Sequence, residues 1–215
     1  MKASNSASRL WLAGPAAAAL FALSLVGFAA MRSDGYSHAT KAVSELGAIG
    51  APFALAFNIV GFILPGVLIV VFASRLIQQD ESNRSGPILL AMSGTCLALA
   101  GLAPADMFDD EAFTTILHAT GAIGSGVFWV CALFWVGPLL RERFGLKTWG
   151  RVTPWFSLFL LANVGWQVSF RMTGLVMPGW GQRIAFFGFF LWFAVTGVLL
   201  WRYASHERRK AGMGV

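Results

Sequence analysis

Long apolar runs separated by short polar stretches set the pattern of this chain. Six are long enough to consider as membrane spans, at about residues 10–30, 52–73, 87–103, 113–139, 152–173 and 182–203. A helix rises about 1.5 Å per residue, so roughly 20 apolar residues cross a hydrocarbon layer of ~30 Å. The runs therefore predict an all-α fold: a polytopic integral membrane bundle of six transmembrane helices, with residues 1–215 as a single domain. Pro52 and Pro87 open two of the spans, where a missing backbone N–H matters least. Pro65-Gly66 falls inside the second span and predicts a kink. The first span follows Lys2 and Arg9, a layout that resembles a signal peptide. Its run of about 21 residues exceeds the roughly 7–15 of a secretory core, so it is expected to persist as a helix.

The fifth span departs from the apolar pattern. Asn163, Gln167 and Arg171 recur every four residues and so stack on one helix face. Polar groups at membrane depth are costly in lipid and turn toward a bundle interior or a cavity. The stripe therefore predicts an internal polar pocket. In the fourth span, Gly121, Gly124, Ser125 and Gly126 allow close helix approach, expected against Gly94 and its neighbours in the third.

Composition supports membrane insertion: 57% of residues are hydrophobic and only 12% charged, with mean hydropathy +0.67. The net charge of +6 and isoelectric point of about 10.0 do not indicate nucleic acid, because the basic residues sit beside apolar runs and in the C-terminal tail. Of the 16 Lys and Arg residues, twelve fall at the N-terminus, in the second and fourth loops and in the tail. Arg32, Lys41, Arg171 and Arg183 lie on the other side. The positive-inside rule then places both termini in the cytoplasm of a multi-pass cell-membrane protein. Cys96 and Cys131 lie inside apolar runs without metal-ligand spacing and are expected as small buried hydrophobes. Trp11, Trp149, Trp155, Trp180 and Trp201 are expected as interfacial anchors.

With that orientation, the polar residues at membrane depth gather in the outer half. Asn58 lies roughly 9 Å into the second span and His118 a similar distance into the fourth. Thr114, Gly121 and Ser125 share the face of His118. A histidine beside a carboxylate can act as base, proton relay or ligand, but one hydrogen-bonded between helices is the commoner case. Metal binding would need His38, Asp106 and His118 to converge, without any motif spacing to support it. No metal or other cofactor is expected. Arg171 and Arg183 could clamp a phosphate or carboxylate, or instead pair with Glu45 and Asp106. In the first loop, Ser37 can cap a short helix through Leu46, ended by Gly47. The acidic segment 105–112 precedes the fourth span as a solvated capping turn.

Several segments carry a family likeness: Asp34-Gly35-Tyr36-Ser37-His38, Ser44-Glu45-Leu46-Gly47-Ala48, Ala105-Asp106, Leu117-His118 and Gly181-Gln182-Arg183-Ile184. In that order they resemble the prokaryotic membrane-protein family catalogued as domain of unknown function 998. The resemblance implies six membrane helices without an established reaction, and motif positions at Ser44, Glu45, Asp106, His118 and Arg183. The family's phenylalanine-proline-aspartate stands here as Ala103-Pro104-Ala105-Asp106, which shifts the aspartate. The pocket candidates are therefore Ser44, Glu45, Asn58, Asp106, His118, Asn163, Gln167, Arg171 and Arg183. A binding or permease-like role toward a small polar or anionic solute or a lipid headgroup is the leading expectation, with membrane lipid as partner. A lipid-directed membrane enzyme and a structural assembly partner are the alternatives.

Overall fold

Each apolar run folds into a helix. The computed structural model describes residues 8–79, 84–173 and 178–212, and all regular structure among them is helical. The elements are α1 (Leu10–Ala30), α2 (Ala54–Ile77), α3 (Ser85–Leu102), α4 (Phe113–Phe144), the short α5 (Lys147–Val152), α6 (Trp155–Met172) and α7 (Pro178–Lys210). Five of them, α1 to α4 and α7, are long and apolar enough to cross a membrane. The 18 residues of α6 match a bilayer in length, but Asn163, Gln167 and Arg171 lower its hydropathy.

Two helices outrun their apolar stretches. α4 continues past residue 139 through Arg141 and Arg143 to a C-cap at Gly145, whose positive φ of 65° suits glycine. α7 continues past residue 203 through Arg208, Arg209 and Lys210. Basic side chains favour the negative end of a helix dipole, so the helix outlasts its hydrophobicity. In α2 the proline acts upstream of its own position. Residues Asn58–Ile63 form a π turn, with Leu64 N–H reaching back five residues to the Ile59 carbonyl. Pro65 supplies no N–H for the regular ladder, and the wider turn absorbs the mismatch.

The helices form a ring in the order α4, α3, α2, α1, α7, α6, with close packing from α4 through to α7 and a sparse seam where α6 returns to α4. Lipid offers apolar contact as readily as protein does, so close packing rather than water exclusion must hold such helices together. Glycine makes that approach possible. A Cβ on Gly66 would strike the Gly94 carbonyl and one on Gly94 the Gly66 carbonyl, locking α2 to α3. On α4, Gly121 lies against Cys96 and Ala100 of α3 and Gly124 against Cys96, within the expected stretch around Gly94. Ser93 Oγ–H also donates to the Ser125 carbonyl at 2.8 Å.

An aromatic core runs along the ring, from Phe28 and Phe57 near the α1–α2 loop to Trp11 and Phe72 at the other end. Trp11 is 2% exposed and meets Phe72 and Phe144 edge-on, with centroids 5.8 and 6.0 Å apart. It is a core residue rather than the interfacial anchor its position suggested, because α1 crosses α2 and α7 at that depth. Trp149 is likewise half-buried and donates Nε1–H to Thr196 Oγ1 at 2.9 Å. Trp155, Trp180 and Trp201 are exposed. Cys131 is exposed rather than buried, since it lies on the open α4–α6 seam.

Candidate functional site

The loop 31–53 between α1 and α2 folds over one end of the ring and docks on the start of α7. Ser37 does not begin the expected helix; only Val43–Leu46 form a 3₁₀ turn. The carbonyls that a helix would use internally are taken by α7 and Tyr36 instead. Ala39 O accepts from Trp180 N–H at 3.3 Å, Lys41 O from Arg183 Nη1–H at 2.9 Å, and Ala42 O from Tyr36 O–H at 3.1 Å. Gln182 Oε1 accepts from Val43 N–H at 2.8 Å. Tertiary partners have overridden a local propensity.

Arg183 is the centre of this cap. Its Nη2 donates to Tyr36 Oη at 2.6 Å, Nε to His38 Nδ1 at 3.0 Å, and Nη1 also to the Gly179 carbonyl at 2.9 Å. Arg32 and Arg183 both lie near the Tyr36 ring, at 5.4 and 5.7 Å from its centroid. Burial pushes the Tyr36 hydroxyl up from its ordinary pKa, against the opposing pull of Arg183. Burial, then repulsion from Arg183, pushes His38 below the ordinary histidine value. Glu45 is engaged locally: Oε1 accepts from Ala42 N–H at 2.9 Å and Oε2 pairs with Lys41 Nζ at 3.1 Å. Arg32 pairs with Asp34 and donates to the Glu45 carbonyl. The expected pairing of Arg183 with Glu45 or Asp106 does not form. Asp106 instead accepts from Phe108 N–H at 2.9 Å and donates its own N–H to Thr115 Oγ1 at 2.8 Å, a turn leading into α4.

Below the cap, the α4–α6 seam opens into a cleft of about 670 Å³. Its walls are mainly apolar. Ile123, Val127, Leu161 and Val164 line it and are 67%, 52%, 55% and 49% exposed, so the cleft opens sideways, where lipid would lie. Polar groups also line it, none of them Asp, Glu, Lys or Arg: Ser44 and Gln182 from the cap, His118 and Ser125 from α4, and Asn163 and Gln167 from α6.

Two of these groups are buried with hydrogen-bonding capacity to spare. His118 is 8% exposed, and its Nδ1 lies 2.8 Å from the Ala100 carbonyl and 3.1 Å from that of Ala103, at the C-terminus of α3. Carbonyls only accept, so Nδ1 carries a proton, and in that tautomer Nε2 is an acceptor. The histidine sits edge-on to Phe62, which the π turn presents at 6.0 Å. Asn163 is 5% exposed; its Oδ1 accepts from Gln167 Nε2–H at 2.8 Å, but its buried Nδ2 has no partner. A buried donor left unmade costs about 1–3 kcal/mol. Gln167 in turn packs against Gly181, where any Cβ would collide with it.

The family description Protein of unknown function (DUF998) matches residues 16–199, most of the chain. The chain belongs to this family. No curated protein and no solved structure matches it. The DUF998 likeness in sequence singled out Ser44, Glu45, Asp106, His118 and Arg183, and the fold separates these into different duties. Glu45 and Arg183 build the cap, Asp106 starts α4, and Ser44 and His118 line the cleft. Asn58 belongs with the cap: its Nδ2–H donates to the Gly47 carbonyl at 2.8 Å and its side chain covers that glycine, while its Oδ1 is buried without a partner. His38, Asp106 and His118 do not converge, and among the described residues no group of three metal-ligating side chains forms. The Arg171 side chain lies outside the described residues. Tyr36, Gln182 and Phe62 went unrecognised as site residues. The first two lay inside the DUF998 segments already noted, whereas no sequence signal marks Phe62.

Proposed function

We propose that this protein is a multi-pass protein of the cell membrane that binds an amphipathic membrane molecule through the α4–α6 cleft. The apolar part of the ligand enters from the bilayer, and its polar part reaches the end lined by His118, Asn163 and Gln167. One observation carries this reading: a seam with exposed apolar walls also holds buried hydrogen-bonding groups, one of them without a partner. A site for a membrane-borne ligand needs both features, whereas a site for a water-soluble solute needs an aqueous mouth. His118 has no carboxylate hydrogen-bonded to it among the described residues, which favours binding over acid–base chemistry. The distribution of Lys and Arg supports cytoplasmic termini, which puts the cap and the polar end of the cleft in the outer half.

Filling the seam tests the reading. A Cβ on Gly126 would have only Leu160 Cδ2 nearby, at 3.7 Å, so Gly126→Leu has room to occupy the cleft without striking backbone. Full-length protein purified in mild detergent is expected to retain lipid at near-stoichiometric amounts by native mass spectrometry. The variant should retain at least tenfold less while melting within a few degrees of the parent. Equal lipid retention in the two proteins, with both folded, would refute the proposal.

A further inference from the structure

The cleft's hydrogen-bonding inventory restricts what kind of head group it can receive. We infer that the cleft takes a lipid whose head is uncharged and bears a free hydroxyl. This deepens the binding reading above and rests on it.

The first step is charge. Among the described residues, no Asp, Glu, Lys or Arg side chain lines the cleft. Arg183, the central cation of the cap, directs its donors to Tyr36, His38 and Lys41 of the loop and to Gly179 of its own helix. A phosphate or quaternary ammonium drawn into the cleft would leave its hydration shell without a counter-charge, an expensive transfer in a low-dielectric setting. An uncharged head avoids that cost.

The second step is donor and acceptor balance. Asn163 Nδ2 is a pure donor, 95% buried with its residue and without a partner. In the Nδ1–H tautomer that the two α3 carbonyls select, His118 Nε2 is an acceptor. An ester or ether oxygen could satisfy the asparagine but not the histidine. An ammonium could satisfy the histidine but not the asparagine. A hydroxyl accepts from one and donates to the other, so it matches both. A cleft of about 670 Å³ is within the size of ordinary ligand sites and suits one acyl-length chain, while the open seam leaves a second chain in the bilayer. Diacylglycerol and long-chain alcohols both present this chemistry.

Full-length protein reconstituted in nanodiscs can be crosslinked with a diacylglycerol carrying a photoactivatable acyl chain, and the labelled peptides mapped. Labelling is expected on α4 and α6. Unlabelled diacylglycerol should compete at least tenfold better than the same molecule with its hydroxyl methylated, and better than phosphatidic acid. Asn163→Leu removes the unpaired donor without adding bulk, so it should fold and lose that discrimination. His118→Gln, which can still donate to the α3 carbonyls, should lose less than His118→Leu. Competition by a long-chain alcohol equal to that by diacylglycerol would assign the hydroxyl alone as the recognised group; stronger competition by diacylglycerol would extend it to the glycerol backbone. Either result supports the inference. Equal competition by the methyl ether, or preference for phosphatidic acid, would overturn it while leaving lipid binding in the cleft intact. Absence of labelling on α4 and α6 would overturn both.

Discussion

Arg183 stands near the start of a membrane helix and yet serves a loop from the other end of the sequence. Four hydrogen bonds tie its guanidinium to Tyr36, His38, Lys41 and Gly179. Bonds from a charged donor contribute about 1.5–3 kcal/mol each at most, and the exposed part of this set contributes less. Arg183→Gln is therefore expected to lower stability by on the order of 2 kcal/mol, read as a drop in melting temperature of detergent-solubilised protein. Asp106→Asn keeps its turn-forming Oδ1 and should move the melt little. The His38 contact adds a pH dependence. His38 Nδ1 accepts from Arg183 only when unprotonated, and its folded pKa is depressed by burial and then by Arg183. Unfolded protein thus takes up the proton more readily, so this stabilisation is complete above the ordinary histidine value of about 6.5 and fades as pH falls below it. The melting temperature should fall more steeply from pH 7.5 to 5.5 in the parent than in His38→Gln, which keeps an acceptor without titrating. Arg183, Asp106 and His38 were legible as candidates in the sequence, but Tyr36 and the partners were not. Tyr36 and Arg183 are 147 positions apart, and no spacing rule reaches across a fold. The Asn163–Gln167 pair was legible because a helix brings residues four apart together.

Helical elements were legible where hydropathy alone decides. The predicted spans at 87–103 and 152–173 became Ser85–Leu102 and Trp155–Met172. Ends set by charge or by tertiary contact were not. α4 and α7 run on through basic residues that favour a helix C-terminus, and the helix expected between Ser37 and Leu46 gave way because α7 takes its carbonyls. Pro65 predicted a kink, and its effect is a π turn one step earlier, a register change that presents Phe62 to His118. The glycines distinguish the two kinds of seam. Gly94→Leu should fail to fold or lose more than about 2 kcal/mol, because a side chain there must displace the α2 backbone. Gly126→Leu faces the open α4–α6 seam and should be tolerated. Comparing yields and melting temperatures of the two proteins separates a packed interface from an empty one; equal damage from both would mean the seam is closed.

At the scale of the whole molecule, the position of the cap gives the ring a direction. The α1–α2 loop, the 103–112 turn and the start of α7 all meet at one end, joined by the Ile49–Ala105 and Ala39–Trp180 backbone bonds. Near the start of α1, Trp11 meets Phe144, and Phe144 meets Tyr203 near the end of α7, so both helical termini lie at the opposite end. The basic residues follow the same division: α4 ends in Arg141 and Arg143 and α7 in Arg208, Arg209 and Lys210, away from the cap. On the orientation proposed above, the membrane potential and the anionic inner leaflet would hold such clusters on the cytoplasmic side. Because the acidic 105–112 segment lies at the cap end, the charge asymmetry is one of sign as well as number. In a background with Cys96 and Cys131 replaced by alanine, Ser33→Cys should react with a membrane-impermeant maleimide on intact cells. His206→Cys should react only after permeabilisation. The reverse pattern would put the polar end of the cleft in the inner leaflet, and a ligand would then be drawn from the cytoplasmic lipid population. Labelling at both sites on intact cells would mean an odd number of crossings, as the five helices apolar enough to span would give without α6.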